Sequence, residues 1–445
     1  MWEIIRRNQR NSIFLIAGMG ICLFALGAAM GGAWGGAEGL VLGLGGSGIL
    51  WFVLTTTAYF NGDRILLSST GAKPADPIVH QALLNIVDEM QIASGMPHKP
   101  KVFVIDDPVP NAFATGVRPE KSAIAVTAGL LGRLNRDELQ GVIAHEMSHI
   151  LNRDVLYMTL AGVMLGSMSI LSHMFMRGSL YSRRSYRYSR NSKNDGGAKA
   201  ILMILAIVIA IAGPILAQVF YFSLSRKREY LADASGARLT RYPEGLASAL
   251  EKISSFKQPL QSANAATAPL YISSPSTQGR MDLMGIGHTH PPIQQRIQIL
   301  RNMSGSGLNK YEESFRKTSG GAGLLPQSAL KDPADAAIRP PSVETTPQVR
   351  TEADAARRTG DWMRAGNGFV FVQCACGLKV KLPAELITAG KIDCPSCHRP
   401  LQLPAPKPLP VSATPATVEG GFPFFLFTAI GAIVATLYFI ASAKQ

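Results

Sequence analysis

The sequence predicts an α+β protein. It reads as a multi-span helical membrane protein with a mainly helical domain carrying a small β-sheet, plus a small β module gathered by cysteines. Three observations predict this. Long windows carry no charge. A helix-periodic segment with two histidines follows several short β-branched runs. Two close cysteine pairs stand near the C-terminus. Composition agrees: 47% of the 445 residues are hydrophobic and only 17% charged, below the ~25% of an average soluble domain. That excludes a disordered chain and argues against an ordinary soluble enzyme. Five cysteines in a chain of this length are not a disulfide-stapled scaffold. The net charge of +14 suits nucleic acid or an anionic membrane surface, and the apolar windows favour the membrane.

Residues 1–60 are read as a transmembrane hairpin. The window 13–30 and a second uncharged window between Glu38 and Asp63 each supply the ~20 apolar residues that a spanning helix needs. Gly31, Gly32, Gly35 and Gly36 form the turn between them. Further apolar windows lie at 155–176, 200–225 (interrupted by Pro214) and 420–443. Arg6, Arg7 and Arg10 precede the first span, which sets the N-terminus, and with it residues 61–154, in the cytoplasm. The loop 177–199 conflicts with this. Its Arg177, Arg183, Arg184, Arg187, Arg190, Lys193 and Lys199 face only Asp195, so crossing at 155–176 and 200–225 would put a basic loop outside. Either the hairpin dominates the topology or this pair enters without crossing; we take the pair as crossing, with the loop against anionic lipid.

Residues 61–302 hold the candidate site. The stretch 141–150 reads GVIAHEMSHI, so His145, Glu146 and His149 form H-E-x-x-H. Histidines four apart share one helical face and can reach one metal ion, with Glu146 placed to take a proton from an attacking water. Asn135 and Glu138 fit a capping box, and Leu139, Val142, Ile143, Met147 and Ile150 give an apolar stripe at helical spacing. A third ligand is expected at Glu229. It stands four residues before Asp233, so one carboxylate can bind metal while the other accepts the free N–H of a ligating histidine. His149 lies just before one apolar window and Glu229 just after the next, so both emerge on the same side of the bilayer. Segments 101–105, 111–115 and 123–127 read as short strands near the metal helix. A peptide adding to their edge would be held by main-chain hydrogen bonds, nearly independently of sequence.

Residues 303–366, rich in Gly, Ser, Ala, Pro and charge, read as a flexible linker. In 367–403, Cys374, Cys376, Cys394 and Cys397 make C-x-C and C-x-x-C pairs. The pattern resembles a zinc ribbon, with a redox pair as the alternative. Its lack of a dense Arg cluster or stacking aromatics makes nucleic acid an unexpected partner; docking of a substrate or partner protein is preferred. A Pro/Ala-rich linker, 404–419, leads to the terminal span. Cys22 is left over inside the first span.

Residues 1–300 resemble the HtpX-type membrane zinc metalloproteases, a bacterial quality-control family related to the CAAX prenyl endopeptidases. The resemblance rests on the hairpin, Asn111-Ala-Phe-Ala-Thr-Gly116, the run from Glu138 to His149, the Glu229–Asp233 segment and His290-Pro-Pro-Ile-Gln-Gln-Arg296. It implies a zincin catalytic domain of the gluzincin type. His145, His149 and Glu229 would hold a catalytic Zn2+, Glu146 would be the general base, and Asp233 would orient a zinc histidine. Asn111, Ala112 and Phe113 would lie on the edge strand that holds substrate. His290 is a candidate oxyanion donor or, like Arg296, a fold-closing residue, with Tyr230 and Tyr271 as weaker donor candidates. A second, structural Zn2+ would occupy the four cysteines. The implied activity is cleavage of misfolded or membrane polypeptides at the cytoplasmic face of the inner membrane. A specific processing or CAAX-type protease, or a non-catalytic scaffold, are the alternatives.

Overall fold

Glycine sets the path of the first helix. In the computed structural model α1 (Trp2–Ser69) is helical throughout, yet it folds back on itself at Gly36, whose φ is +58°. The indole N–H of Trp51 donates to Ile16 O at 3.1 Å, and the Phe24 and Trp51 rings lie 6.2 Å apart. A Cβ on Gly31 would sit 2.0 Å from Gly39 O, and one on Gly27 2.4 Å from Gly43 O. Only residues without a side chain allow two backbones this close. Two stretches, Ser12–Gly32 and Gly36–Ser69, are long and apolar enough to cross a membrane. The second, at ~1.5 Å per residue, extends about 50 Å and outreaches a ~30 Å hydrocarbon core. The expected boundary at residue 60 is therefore too early: Leu66 and Leu67 are buried with Phe113, Tyr157 and Tyr271 of the following domain.

The structure describes residues 2–163, 204, 208, 225–256, 258–264, 266–273, 290–321, 323–325, 327–330, 337–342, 352–366, 369–383 and 392–401. The expected spans 155–176 (beyond Val163), 200–225 (short of Ser225, apart from 204 and 208) and 420–443, the basic loop 177–199 and the linker 404–419 lie outside them.

After α1 come β1 (Lys73–Pro74), α2 (Gln81–Ser94), β2 (Lys101–Ile105), β3 (Ala112–Gly116), β4 (Ser122–Thr127), α3 (Ala128–Arg133) and α4 (Arg136–Leu151). The sheet order is β1-β2-β4-β3. β2 and β4 run parallel, with Lys101 opposite Ala123; β3 runs antiparallel to β4, with Ala112 opposite Val126, and forms the edge. The helix α4 starts where the sequence marks it. Asn135 Oδ1 accepts from Glu138 N at 2.8 Å, and Glu138 Oε2 accepts from Asn135 N at 2.8 Å, which satisfies two otherwise orphaned N–H groups. Then follow α5 (Asp154–Val163), α6 (Ser225–Thr240), α7 (Pro243–Ser254) and α8 (Ile293–Arg301). One core lies between the sheet and α2, α4, α6, α7 and α8. A second joins the other sheet face to α1 and α5.

Residues 303–366 depart from the expected flexible linker. They carry α9 (Leu308–Ser319) and α10 (Glu352–Gly366), and both are packed. Tyr311 and Phe315 of α9 belong to the domain core, and Ser314 donates to Ile299 O at 2.6 Å. On α10, Trp362 stacks on His80 with centroids 5.2 Å apart. A Cβ on Gly132 would meet Thr359 Oγ1 at 2.3 Å. Burial of these large side chains outweighs the loop-like composition around them. Beyond α10, β5 (Phe369–Gln373) and β6 (Lys379–Pro383) pair antiparallel. Lys381 reaches back to Asp361 at 2.6 Å.

Candidate metal centre and catalytic site

The two histidines of α4 and the glutamate of α6 are brought together. His145 Nε2 and His149 Nε2 lie 3.3 Å apart. Glu229 Oε2 is 3.7 Å from His145 Nε2, and Glu229 Oε1 is 3.6 Å from His149 Nε2. All three side chains are buried. A tetrahedral ion bound at ~2.0–2.1 Å keeps its ligand atoms about 3.3 Å apart, so this cluster fits a metal ion. Its chemistry agrees. Two ring nitrogens facing each other across so short a gap, beside a buried carboxylate, are costly without a cation between them.

Each imidazole is backed by a carboxylate. Asp233 Oδ1 lies 3.0 Å from His145 Nδ1, as the spacing of Glu229 and Asp233 anticipates. Asp154 Oδ2 lies 3.1 Å from His149 Nδ1, a partner that sequence reasoning missed. Burial pushes the His149 ring toward neutrality, but Asp154 and Glu229 outweigh it and raise the ring to about 9. Burial likewise opposes ionisation of Glu229, yet His290, Arg296 and His149 hold it well below the usual carboxylate range. Arg296, fully buried, donates through Nε and Nη2 to both oxygens of Asp233, at 2.8 and 2.7 Å. Its Nη1 is 3.4 Å from Glu229 Oε2. This arginine aims both carboxylates at the metal helix.

Neither carboxylate oxygen of Glu146 makes a well-formed hydrogen bond among the described residues, with the Ala114 backbone as a nearby donor. Burial raises its pKa to about 7, against the pull of His149. A buried carboxylate so weakly partnered beside a metal cluster is unusual for a purely structural site. His290 Nδ1 lies 3.0 Å from Glu229 Oε2, so His290 joins the cluster. The two tyrosines do not: the Tyr230 hydroxyl donates to Gln295 Oε1 at 2.7 Å, and the Tyr271 hydroxyl pairs with Ser262 Oγ at 3.2 Å.

The strand residues divide. Asn111 O accepts from Thr127 N, so in the antiparallel alternation Asn111, Phe113 and Thr115 face β4 while Ala112, Ala114 and Gly116 face the free edge. Phe113 is corrected as a substrate contact: its ring is fully buried, edge-on to Tyr271 at 5.0 Å. Asn111 Nδ2 donates to Ser273 O at 2.9 Å, and Ala112 O accepts from Ile272 N at 2.9 Å. Gly116 N donates to Thr159 Oγ1 at 2.9 Å. The backbone N–H of Ala114 faces Glu146 and favours its ionised form.

Four cysteines make a second cluster. Cys374 Sγ is 3.4 Å from Cys397 Sγ, and Cys376 Sγ is 3.7 Å from Cys394 Sγ. Together they could hold a second ion.

Two histidines and a carboxylate converging beside a buried glutamate and a sheet edge define a metallopeptidase. Residues 77–304 match Peptidase family M48. Similar proteins include a protease HtpX homolog from Dictyoglomus thermophilum, 45% identical over 303 residues, covering 68% of this chain and 94% of that one. Another, from Listeria monocytogenes serotype 4a, is 41% identical over 312 residues, covering 68% and 100%. The crystal structure of S. mikatae Ste24p is similar over 67% of each chain, with a TM-score of 0.36 and 20% identity. The chain thus belongs to peptidase family M48 and is a metalloendopeptidase. Its apolar stretches Ser12–Gly32 and Gly36–Ser69 and its relatives point to a membrane protein.

Proposed function

We propose that the chain is a multi-pass zinc endopeptidase of the bacterial inner membrane that hydrolyses misfolded or membrane-derived polypeptides at the cytoplasmic face. The observation that carries this reading is the convergence of His145, His149 and Glu229 beside the buried carboxylate of Glu146 and the edge strand β3. These three residues would hold the catalytic zinc, which when bound polarises the scissile carbonyl and acidifies water. A substrate main chain adds to the β3 edge, which favours unfolded chains over any one sequence. Glu146 takes the proton from the attacking water and returns it to the leaving amine. His290 donates to the carbonyl oxygen as charge develops there. Asp233, Asp154 and Arg296 fix the ring and carboxylate orientations. The burial of Leu66 and Leu67 of the anchor against the domain supports a site close to the bilayer. The cysteine cluster would hold a structural zinc, and its module would dock a substrate or partner.

The test is digestion of an unfolded polypeptide, of its folded form and of a membrane protein by the purified full chain in detergent. Many cuts in the unfolded chain and few in the folded one are expected. A single defined cut would favour a specific processing enzyme.

A further inference from the structure

We propose that residues 337–342, outside the part of the chain that matches the family, brace the two ligand-bearing helices, with Arg339 as a positioning residue for the metal centre. This rests on the reading of His145, His149 and Glu229 as metal ligands.

The helices α4 and α6 cross where Gly236 meets His145: a Cβ on Gly236 would lie 3.2 Å from His145 N and 3.3 Å from its Cα. On one side of that crossing, α4 carries His149 and α6 carries Glu229. On the other side lie the start of α4 and the end of α6, and there Arg339 spans both helices. Its Nη2 donates to Asp137 Oδ1 at 2.7 Å and to Gln140 Oε1 at 2.6 Å. Its Nε donates to Thr240 O at 2.9 Å, and its guanidinium lies 5.0 Å from the centroid of the Tyr242 ring. Ser342 adds a bond from N to Asp137 Oδ2 at 2.8 Å and one from Oγ to Asp137 Oδ1 at 2.6 Å. Arg241 closes the strap from the other end, onto Ala337 O at 3.0 Å.

The arrangement works as a pair of scissors with His145 at the pivot, His149 and Glu229 in the jaws and Arg339 across the handles. At ~1.5 Å per residue, Asp137 and His149 stand about 12 and about 6 Å from the crossing along α4, and Thr240 and Glu229 about 6 and about 10 Å from it along α6. A shift of the handles therefore reaches the jaws roughly halved through α4 and enlarged through α6. Metal sites tolerate only about ±0.2 Å in ligand distance, so the brace governs affinity without touching the ion. The planar guanidinium suits this task, since it binds a carboxylate, an amide and a carbonyl at once in fixed geometry.

The test is Co2+ titration of the metal-free full chain in detergent, with thermal unfolding measured in parallel. A His/carboxylate site gives d–d bands without the thiolate charge transfer of the four cysteines, so the two sites are read separately. Arg339→Gln is expected to weaken the His/carboxylate site about tenfold and leave the thiolate site unchanged. Arg339→Lys should fall between, and it reads the same quantity if the Gln variant does not fold. Glu352→Gln, which removes the Arg133 contact of α10, should match wild type. An Arg339 variant that unfolds at lower temperature but binds Co2+ within twofold of wild type would overturn the brace. Absence of the His/carboxylate bands in wild type would instead overturn the ligand assignment.

Discussion

Asp154 Oδ2 lies 3.1 Å from His149 Nδ1, across a turn in which Arg153 adopts φ +58°. The turn folds the chain back at the end of α4, so a residue outside the metal helix buttresses the metal helix's second histidine. With Asp233 behind His145, both rings direct Nε2 inward. A carboxylate on Nδ1 fixes that tautomer and raises the basicity of the ligating nitrogen.

Asp154→Asn should therefore weaken metal binding at this site by about ten- to a hundredfold, measured by competition with a chromophoric chelator. Unchanged affinity would assign Asp154 to folding alone.

Glu146 has a pKa raised by burial from 4.5 to about 7. An acid with a higher pKa folded than unfolded binds more protons in the folded state. The contribution of Glu146 to the stability of the metal-free protein is then lost as pH rises from about 4.5 to about 7, by up to roughly 3 kcal/mol. In metal-free protein, Glu146→Gln should equal wild type near pH 4.5 and exceed it near pH 7, read from unfolding midpoints across that range. Parallel pH profiles for the two proteins would count against the burial argument.

A side chain at Gly31 would run into Gly39 O. Gly31→Val should force the two halves of α1 apart. The measurement is cross-linking by a short bifunctional thiol reagent between Ile16→Cys and Trp51→Cys, which replace the residues joined by the 3.1 Å indole bond. Efficient cross-linking is expected with Gly31 and a clear loss with valine; equal yields would mean that the glycine contact does not hold the hairpin.

The cysteine module should depend on its ion while the peptidase domain does not. Its own core is small: Val372, Leu382 and Leu401 beside Cys374 and Cys394. Cys394→Ser should remove one metal ion per chain and speed proteolysis after α10, and the peptidase domain should retain its unfolding temperature. Loss of both ions together would contradict separate sites.

What the sequence disclosed depended on how local each signal is. The metal helix was legible because H-E-x-x-H, its apolar stripe and the Asn135–Glu138 box all lie within one helix. β2, β3 and β4 were legible to within a residue from β-branched runs bounded by Pro and Gly, whereas the two-residue β1 was not. Glu229, far along the chain, was reachable because a candidate ligand and its neighbour Asp233 repeat one helical turn. Asp154 was not legible, since its role depends on a left-handed turn at an arginine, which no residue type announces. The brace was hidden for a different reason: Arg339 is one cation in a Pro-rich stretch, and its meaning lies entirely in Asp137, Gln140 and Thr240. α9 was masked by averaging. Leu308, Tyr311 and Phe315 make an apolar stripe, but polar neighbours dilute it in a long window. Phe113 shows the opposite error: the motif marks the strand correctly, while the pleat turns that ring into the core.

The most direct test compares wild type with Glu146→Gln for cleavage of an unfolded polypeptide, with metal content determined for both. Equal zinc, near two ions per chain, with cleavage reduced by about a thousandfold or more only in the variant, is the predicted result. Cleavage by the variant at the wild-type rate, with zinc in place, would contradict the assignment of Glu146 as the base and with it the proposed mechanism.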